Sequence, residues 1–313
     1  MIKKTLYFGN PTYLSCKQGQ LVIELPEITK ANVHPSLKDK GVITKPIEDI
    51  GLLMLDHPQI TITHGVIEQL LQNTCAIITC DRKRMPYGIC LPLYGNTTQN
   101  ERFRQQLAAS KPLKKQLWQQ TIQYKIRNQA FILRKFTNES ADNMYVWANE
   151  VRSGDNTNLE ARAAAYYWKT VFPQIPNFVR EREGMPPNHL LNYGYAILRA
   201  VVARSIVLSG LIPTLGINHH NKYNAYCLAD DLMEPYRPYV DKHVLRIIGR
   251  VGLKEELTKE MKAELLLIPT LDVKIGNKRS PLMLGCNQTA ASLYKCFCGE
   301  SRKIDYPLMN EYD

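Results

Sequence analysis

Three short segments of the chain carry the side chains best suited to chemistry. In the first, Gly154-Asp-Asn-Thr-Asn-Leu-Glu160-Ala-Arg-Ala-Ala-Ala-Tyr-Tyr-Trp168, Glu160 falls where a helix should begin. Thr157-x-x-Glu160 has capping-box spacing, in which the glutamate reaches back to the amide of the cap residue. The alternative is a carboxylate projecting from the first turn, with Ala161 and Ala163 to Ala165 leaving room around it. The second segment is Gly216-Ile-Asn-His219-His220-Asn221. Adjacent loop histidines point in different directions, so only one of them can serve a given metal, and a surface or capping role is the ordinary one. The third is Cys227-Leu-Ala-Asp230-Asp231-Leu-Met-Glu234-Pro-Tyr-Arg237-Pro238. On a helix Asp230 and Asp231 both share a face with Glu234, and like charges so placed are destabilising unless something positive lies between them. A divalent cation or an arginine could do this, Arg237 being at hand, and a solvated acidic face is the plainer reading. Pro235 puts Glu234 at or near a helix end. Oxygen and imidazole groups without a thiolate suit Mg²⁺ or Mn²⁺ better than structural zinc. In basic surroundings such a set fits phosphodiester chemistry.

The elements that must position these groups divide into two textures. Residues 5–8, 20–25, 42–44, 51–55 and 61–63 are short, rich in β-branched or aromatic side chains, and bounded by Gly, Pro, Asn or Asp. With a short helix over 65–72 and a strand over 75–80, they predict a small β-sandwich. Asp81-Arg82-Lys-Arg84 and the Pro- and Gly-rich stretch after it read as a hinge. Beyond it the pattern is helical, broken by prolines, with a long helix over 188–209 capped by Asn188 and stopped by Gly210. The expected fold class is therefore α+β: a β-rich domain over 1–85, a linker over 86–96 and an all-α domain over 97–313.

Composition narrows the partners. The 313 residues hold 40 Lys+Arg against 29 Asp+Glu, a net charge of +11, which favours a polyanion without naming one. Hydrophobic residues at 44% and charged residues at 22% exclude wholesale disorder. No apolar run is expected to span a membrane, since the best candidate, 195–211, contains Arg199 and Arg204. Met1-Ile-Lys-Lys-Thr-Leu reads as a strand rather than a signal peptide, so a cytoplasmic location is expected. The eight cysteines include no Cys-x-x-Cys pair, and Cys296-Phe-Cys298 is too tightly spaced for half a zinc site, so reduced thiols are expected.

The run from Gly216 through His219 to Pro238 resembles the signature of the spacer-acquisition integrases of CRISPR systems. Asn158-Leu-Glu160-Ala-Arg-Ala-Ala is similar to that family's upstream glutamate segment, and Leu191-Asn-Tyr-Gly-Tyr-Ala-Ile-Leu198 to the helix between. Thr5-Leu-Tyr-Phe-Gly and Ile50-Gly-Leu-Leu-Met-Leu at one end, and Pro281-Leu-Met-Leu with Cys296-Phe-Cys-Gly-Glu300 at the other, extend the likeness along nearly the whole chain. It is nearest the type II variety, which accompanies a single large effector nuclease. The resemblance implies metal ligation by Glu160, His219 and Glu234, with Asp231 as a supporting acid and Mg²⁺ or Mn²⁺ as cofactor. It also implies a homodimer formed through the β-rich domain, donor and repeat double-stranded DNA as substrates, and a small protein of the second-numbered Cas family bridging two dimers. Arg82, Arg84, Arg180 and Arg182 are candidate phosphate contacts. Two other readings stay open: a nuclease of branched DNA that integrates nothing, and a non-catalytic DNA-binding scaffold. Two departures from the family stand out, a long segment over 31–45 and Asn218 in place of a bulkier apolar residue.

Overall fold

The computed structural model describes residues 3–29, 41–137 and 139–310, so the first part of the 31–45 departure lies outside the described residues. The chain forms two compact units that meet in sequence between Gly95 and Asn96.

The first unit is built on two four-stranded sheets. One runs β1 (Lys4–Phe8), β5 (Ile50–Leu55), β7 (Ala76–Cys80) and β8 (Pro86–Cys90), parallel except for the last pair. The other runs β4 (Val42–Pro46), β3 (Gln20–Glu24), β2 (Thr12–Lys17) and β6 (Ile60–Ile62). Leu53 and Ile77 from the first sheet, Leu14, Leu21 and Ile23 from the second, and Val66 and Leu70 from a helix at His64–Gln72 share one buried cluster, which makes the expected sandwich. A single helical turn, α1 (Pro26–Thr29), precedes that helix, α2. Strand β2 was not expected. It joins β3 through Gln18 and Gly19, both at positive φ, the backbone that suits a two-residue hairpin turn. The proposed linker is corrected as well. Pro86–Cys90 pairs antiparallel with β7, so its peptide groups belong to the sheet ladder and the β-rich unit extends past residue 85.

The second unit is helical: α3 (Gln99–Ala108), α4 (Lys111–Phe136), α5 (Asp142–Glu150), α6 (Leu159–Thr170), α7 (Asn188–Leu208), α8 (Cys227–Met233), α9 (Arg237–Val251), α10 (Lys259–Leu265) and α11 (Leu282–Phe297). It is not all helix. Strands β9 (Asp272–Ile275) and β10 (Lys278–Pro281) form a hairpin turned by Gly276 at φ +57. Helix α7 ends as expected: Gly210 takes φ +67, and the amides of Gly210 and Leu211 return to Val207 and Ile206. At its start Asn188 is the first helical residue rather than the cap. Its side chain is buried and bonds the carbonyls of Val179 and Met185. At 21 residues α7 is long and apolar enough to cross a bilayer, contrary to the sequence expectation, but 78% of its apolar window is buried inside the protein. That surface is spent on the core.

Candidate functional site

Helix α4 is the floor of the site. Ser110 caps its first turn, accepting from the Leu113 amide, and Pro112 occupies the first turn where no amide partner is needed. Its buried stripe includes Trp118, Thr121, Ile122, Lys125, Ile126 and Gln129, the 3–4 spacing of one helix face. Two of these side chains, Trp118 and Lys125, meet the residues singled out in the sequence.

Glu160 stands in the first turn of α6, and the capping-box reading does not hold. Asp155 accepts the amides of Leu159 and Glu160 through its two oxygens, at 3.0 and 2.9 Å. Gly154, Asp155 and Asn158 all take positive φ to bring that carboxylate round. With the first-turn donors satisfied from Asp155, the Glu160 side chain is free to point inward, and its Oε1 lies 2.7 Å from Lys125 Nζ.

Glu234 opens a 3-10 turn, Glu234–Tyr236, between α8 and α9. Its carboxylate is buried, with Oε1 accepting from Arg237 Nε at 2.9 Å and Oε2 2.7 Å from the same Lys125 Nζ. Burial alone would raise its pKa, but Arg237 and Lys125 outweigh burial and hold it at about 2. The approach to Oε2 is at ion-pair distance but poorly directed, so this buried oxygen has no hydrogen-bond partner. Two carboxylates far apart in sequence thus close on one cation position, which Lys125 fills.

His219 is placed by Asp231. That fully buried carboxylate accepts the amides of Ile217, Asn218 and His219 at 2.6, 3.0 and 3.2 Å, and meets His219 Nδ1 at 2.5 Å. Gly216 is required by the same clamp, since a Cβ there would sit 2.4 Å from the His219 carbonyl and 2.7 Å from Asp231 Oδ2. Trp118 packs edge-on to the imidazole, centroids 5.5 Å apart. The Asp231 hydrogen bond raises the His219 pKa against its partial burial, and the charges of Glu234 and Glu160 add to the rise, so the ring lies within their field. Nδ1 being committed, Nε2 is the atom left for a ligand. Asp231, expected as a supporting acid, has both oxygens taken up by these amides and by Nδ1. His220 is exposed. Asp230 is taken up by Arg199 and Asn224, both at 2.7 Å.

Behind Glu234 lies a second buried group that the sequence did not reveal. Arg237 also stacks over the Tyr195 ring at 4.7 Å, and Tyr195 and Tyr167 both donate to Asp241. Burial raises Asp241 to about 6, although the two phenols and the nearby Arg180 and Arg237 work against it.

Among the described residues no three His, Cys, Asp or Glu side chains already stand as a ligand cluster. The donor set nevertheless fits a hard cation: two carboxylates converging on one positive charge, one buried oxygen without a hydrogen bond, and an imidazole with its remote nitrogen fixed by a carboxylate. The four arginines fare differently. Arg84 bonds the Asp56 carbonyl at the foot of the sandwich, and Arg180 is held by Asn188 and Asn192 at 2.9 and 2.7 Å, while Arg82 and Arg182 are exposed.

Residues 6–272 match the family described as "CRISPR associated protein Cas1". The CRISPR-associated endonuclease Cas1 of Neisseria meningitidis serogroup C (strain 8013) is 39% identical over 280 residues, covering 89% of this chain and 86% of the relative. Among solved structures, a casposase bound to integration product superposes with a TM-score of 0.75 at 18% identity, over 97% of this chain and 93% of that one. A chain of a Cas6-RT-Cas1–Cas2 complex superposes at 0.73 and 20% identity, over 99% of this chain and 36% of that one. At such identities these two structures establish the shared fold.

Proposed function

This chain belongs to the Cas1 family of CRISPR-associated proteins, and from that premise we propose that it is a divalent-cation-dependent DNA integrase of CRISPR adaptation, of the type II variety. It joins short donor DNA to the repeat array as a new spacer. The observation that carries the reading is the closure of Glu160 and Glu234 on one cation position beside His219.

Glu160, Glu234 and His219 Nε2 would hold Mg²⁺ or Mn²⁺. When bound, the ion would offset charge on the scissile phosphate while the donor 3′-oxygen forms the new P–O bond, the repeat strand's P–O3′ bond breaks, and the 3′-hydroxyl so released takes up a proton. Asp231 keeps the imidazole Nδ1–H pointed away from the ligand side, so that Nε2 presents its lone pair. Arg237 holds Glu234 ionised inside the protein. No covalent enzyme intermediate is needed. The buried phenols of Tyr167, Tyr195, Tyr236 and Tyr306 are pushed up by burial and bound to neighbours, which makes them poor nucleophiles. The test is strand transfer in Mn²⁺ by Glu160→Ala and His219→Ala proteins whose folding is confirmed by circular dichroism. Both drop to background, and joining at the wild-type rate by either removes that residue from the mechanism.

The net charge of +11 supports double-stranded DNA as partner, donor and repeat alike. Arg182, exposed where Arg180 is not, is the cleaner probe of phosphate contact. Arg182→Ala should lower the slope of log affinity against log salt by about one without changing sequence preference. An unchanged slope removes Arg182 from the DNA surface. Dimerisation through the β-rich unit, bridging of two dimers by a Cas2 protein and a cytoplasmic location complete the proposal. The Cas1–Cas2 assembly to which the superposed chain belongs supports the bridging partner. A non-catalytic scaffold is favoured by one observation, that Lys125 already neutralises the carboxylate pair. Product analysis separates the readings: joined donor for an integrase, cleaved branches only for a nuclease, neither for a scaffold.

A further inference from the structure

Lys125 is a charged group in the site that neither composition nor resemblance brought forward. Its Nζ lies 2.7 Å from Glu160 and 2.7 Å from Glu234, and its side chain is 11% exposed. Two carboxylates and two cations, Lys125 and Arg237, meet here at ion-pair distance. A divalent ion entering with both cations in place would meet their repulsion at close range, beside the buried Glu234 carboxylate. One of the two must withdraw. Arg237 is held by the Glu234 hydrogen bond and stacked on Tyr195. Lys125 is a point charge on a flexible stem that reaches the edge of solvent, and it occupies the position between the two carboxylates that a shared ligand ion would take.

We propose that Lys125 is the exchangeable counter-cation of the site: its ammonium holds Glu160 and Glu234 together in the metal-free protein and must be displaced before a divalent ion can enter. This rests on the metal-dependent reading above and adds a control on when the site loads. The ammonium keeps the two carboxylates from repelling each other apart. It also sets a threshold on loading, because the apparent metal affinity is reduced by the fraction of protein in which Lys125 has swung away.

The test uses Mn²⁺ alone and the full chain. In titration calorimetry Lys125→Met should bind Mn²⁺ roughly tenfold or more tightly than wild type. In EDTA the same variant should melt below wild type, and Mn²⁺ should recover most of the difference. In wild-type protein, acylation of Lys125 by an amine-reactive reagent, read by peptide mass spectrometry, should rise when Mn²⁺ is added. That measurement decides alone if the variant does not fold. A folded Lys125→Met protein that binds no more tightly than wild type, or Lys125 labelling indifferent to Mn²⁺ in a wild type that binds it, overturns the exchange while leaving the metal site standing. If neither protein binds Mn²⁺, the metal-dependent reading falls, and the exchange falls with it.

Discussion

Glu234→Ala protein should give no strand transfer and should also be the least stable of the single variants in the site. The second effect follows from burial. Removing the carboxylate takes away the anion shared by the buried Lys125 and the half-buried Arg237. Breaking a buried ion pair by deleting one partner costs about 3–5 kcal/mol. The pH dependence gives an independent measure. Glu234 has its pKa depressed from 4.5 to about 2, so it contributes stability that is present above the ordinary value and lost as pH falls toward 2. Integrated over that interval the contribution is about 3 kcal/mol, in line with the first figure. Denaturant melts of wild-type and Glu234→Gln proteins between pH 2 and 5 should converge at the acid end and separate above it. Asp241 acts with the opposite sign. Raised from 3.8 to about 6, it withdraws stability as pH climbs through that range, and Glu234→Gln leaves this decline in place. Parallel curves for the two proteins from pH 2 to 5 would mean that Glu234 is not held ionised by its neighbours.

What could be read from the residues and what could not divides along physical lines. Strand β5, Ile-Gly-Leu-Leu-Met-Leu, announced itself because a parallel strand covered on both faces must be apolar throughout. Strand β2 alternates less cleanly, with Ser15 and Cys16 both half-buried, and its clearest signal was the Gly19 turn that follows. Pro86 and Gly88 argued for a linker, yet β8 carries Pro86 at its first residue, where a missing amide is tolerated. Glu160, His219 and Glu234 were brought forward together by family likeness, local spacing having left a helix cap, a surface histidine and a solvated acidic face open. Lys125 was legible only as a position: the spacing from Trp118 through Ile122 to Gln129 puts it on the buried face, which demands a partner. Which partner depends on tertiary contacts with Glu160 and Glu234, and no local pattern encodes those. Thr157-x-x-Glu160 failed for the converse reason. Asp155 competes for the same amides and wins by reaching two of them at once, through a backbone path that a spacing rule does not see.

Asp231→Asn should slow strand transfer by about 10- to 100-fold while moving the acid limb of its pH profile to lower pH, the signature of a residue that works through His219. The aspartate offers acceptors to three amides and to Nδ1, and the asparagine amide puts a donor against some of them. At a site with no solvent access that mismatch costs roughly 1–3 kcal/mol and loosens the 217–219 loop. The pH effect has a separate cause. The Asp231 hydrogen bond is the chief reason the His219 pKa is raised, and a protonated imidazole has no lone pair for a ligand. Wild-type activity should therefore be lost as pH falls through that raised value. In the variant the charge that favoured the imidazolium is gone, so His219 stays neutral to lower pH even as the plateau rate drops. Excess Mn²⁺ should recover part of the plateau, because weakened ligand orientation lowers metal affinity first. Nuclear magnetic resonance titration of the His219 ring reads the shift without relying on turnover. An unchanged His219 titration, or a defect that no Mn²⁺ concentration relieves, would mean that Asp231 does not act through the imidazole.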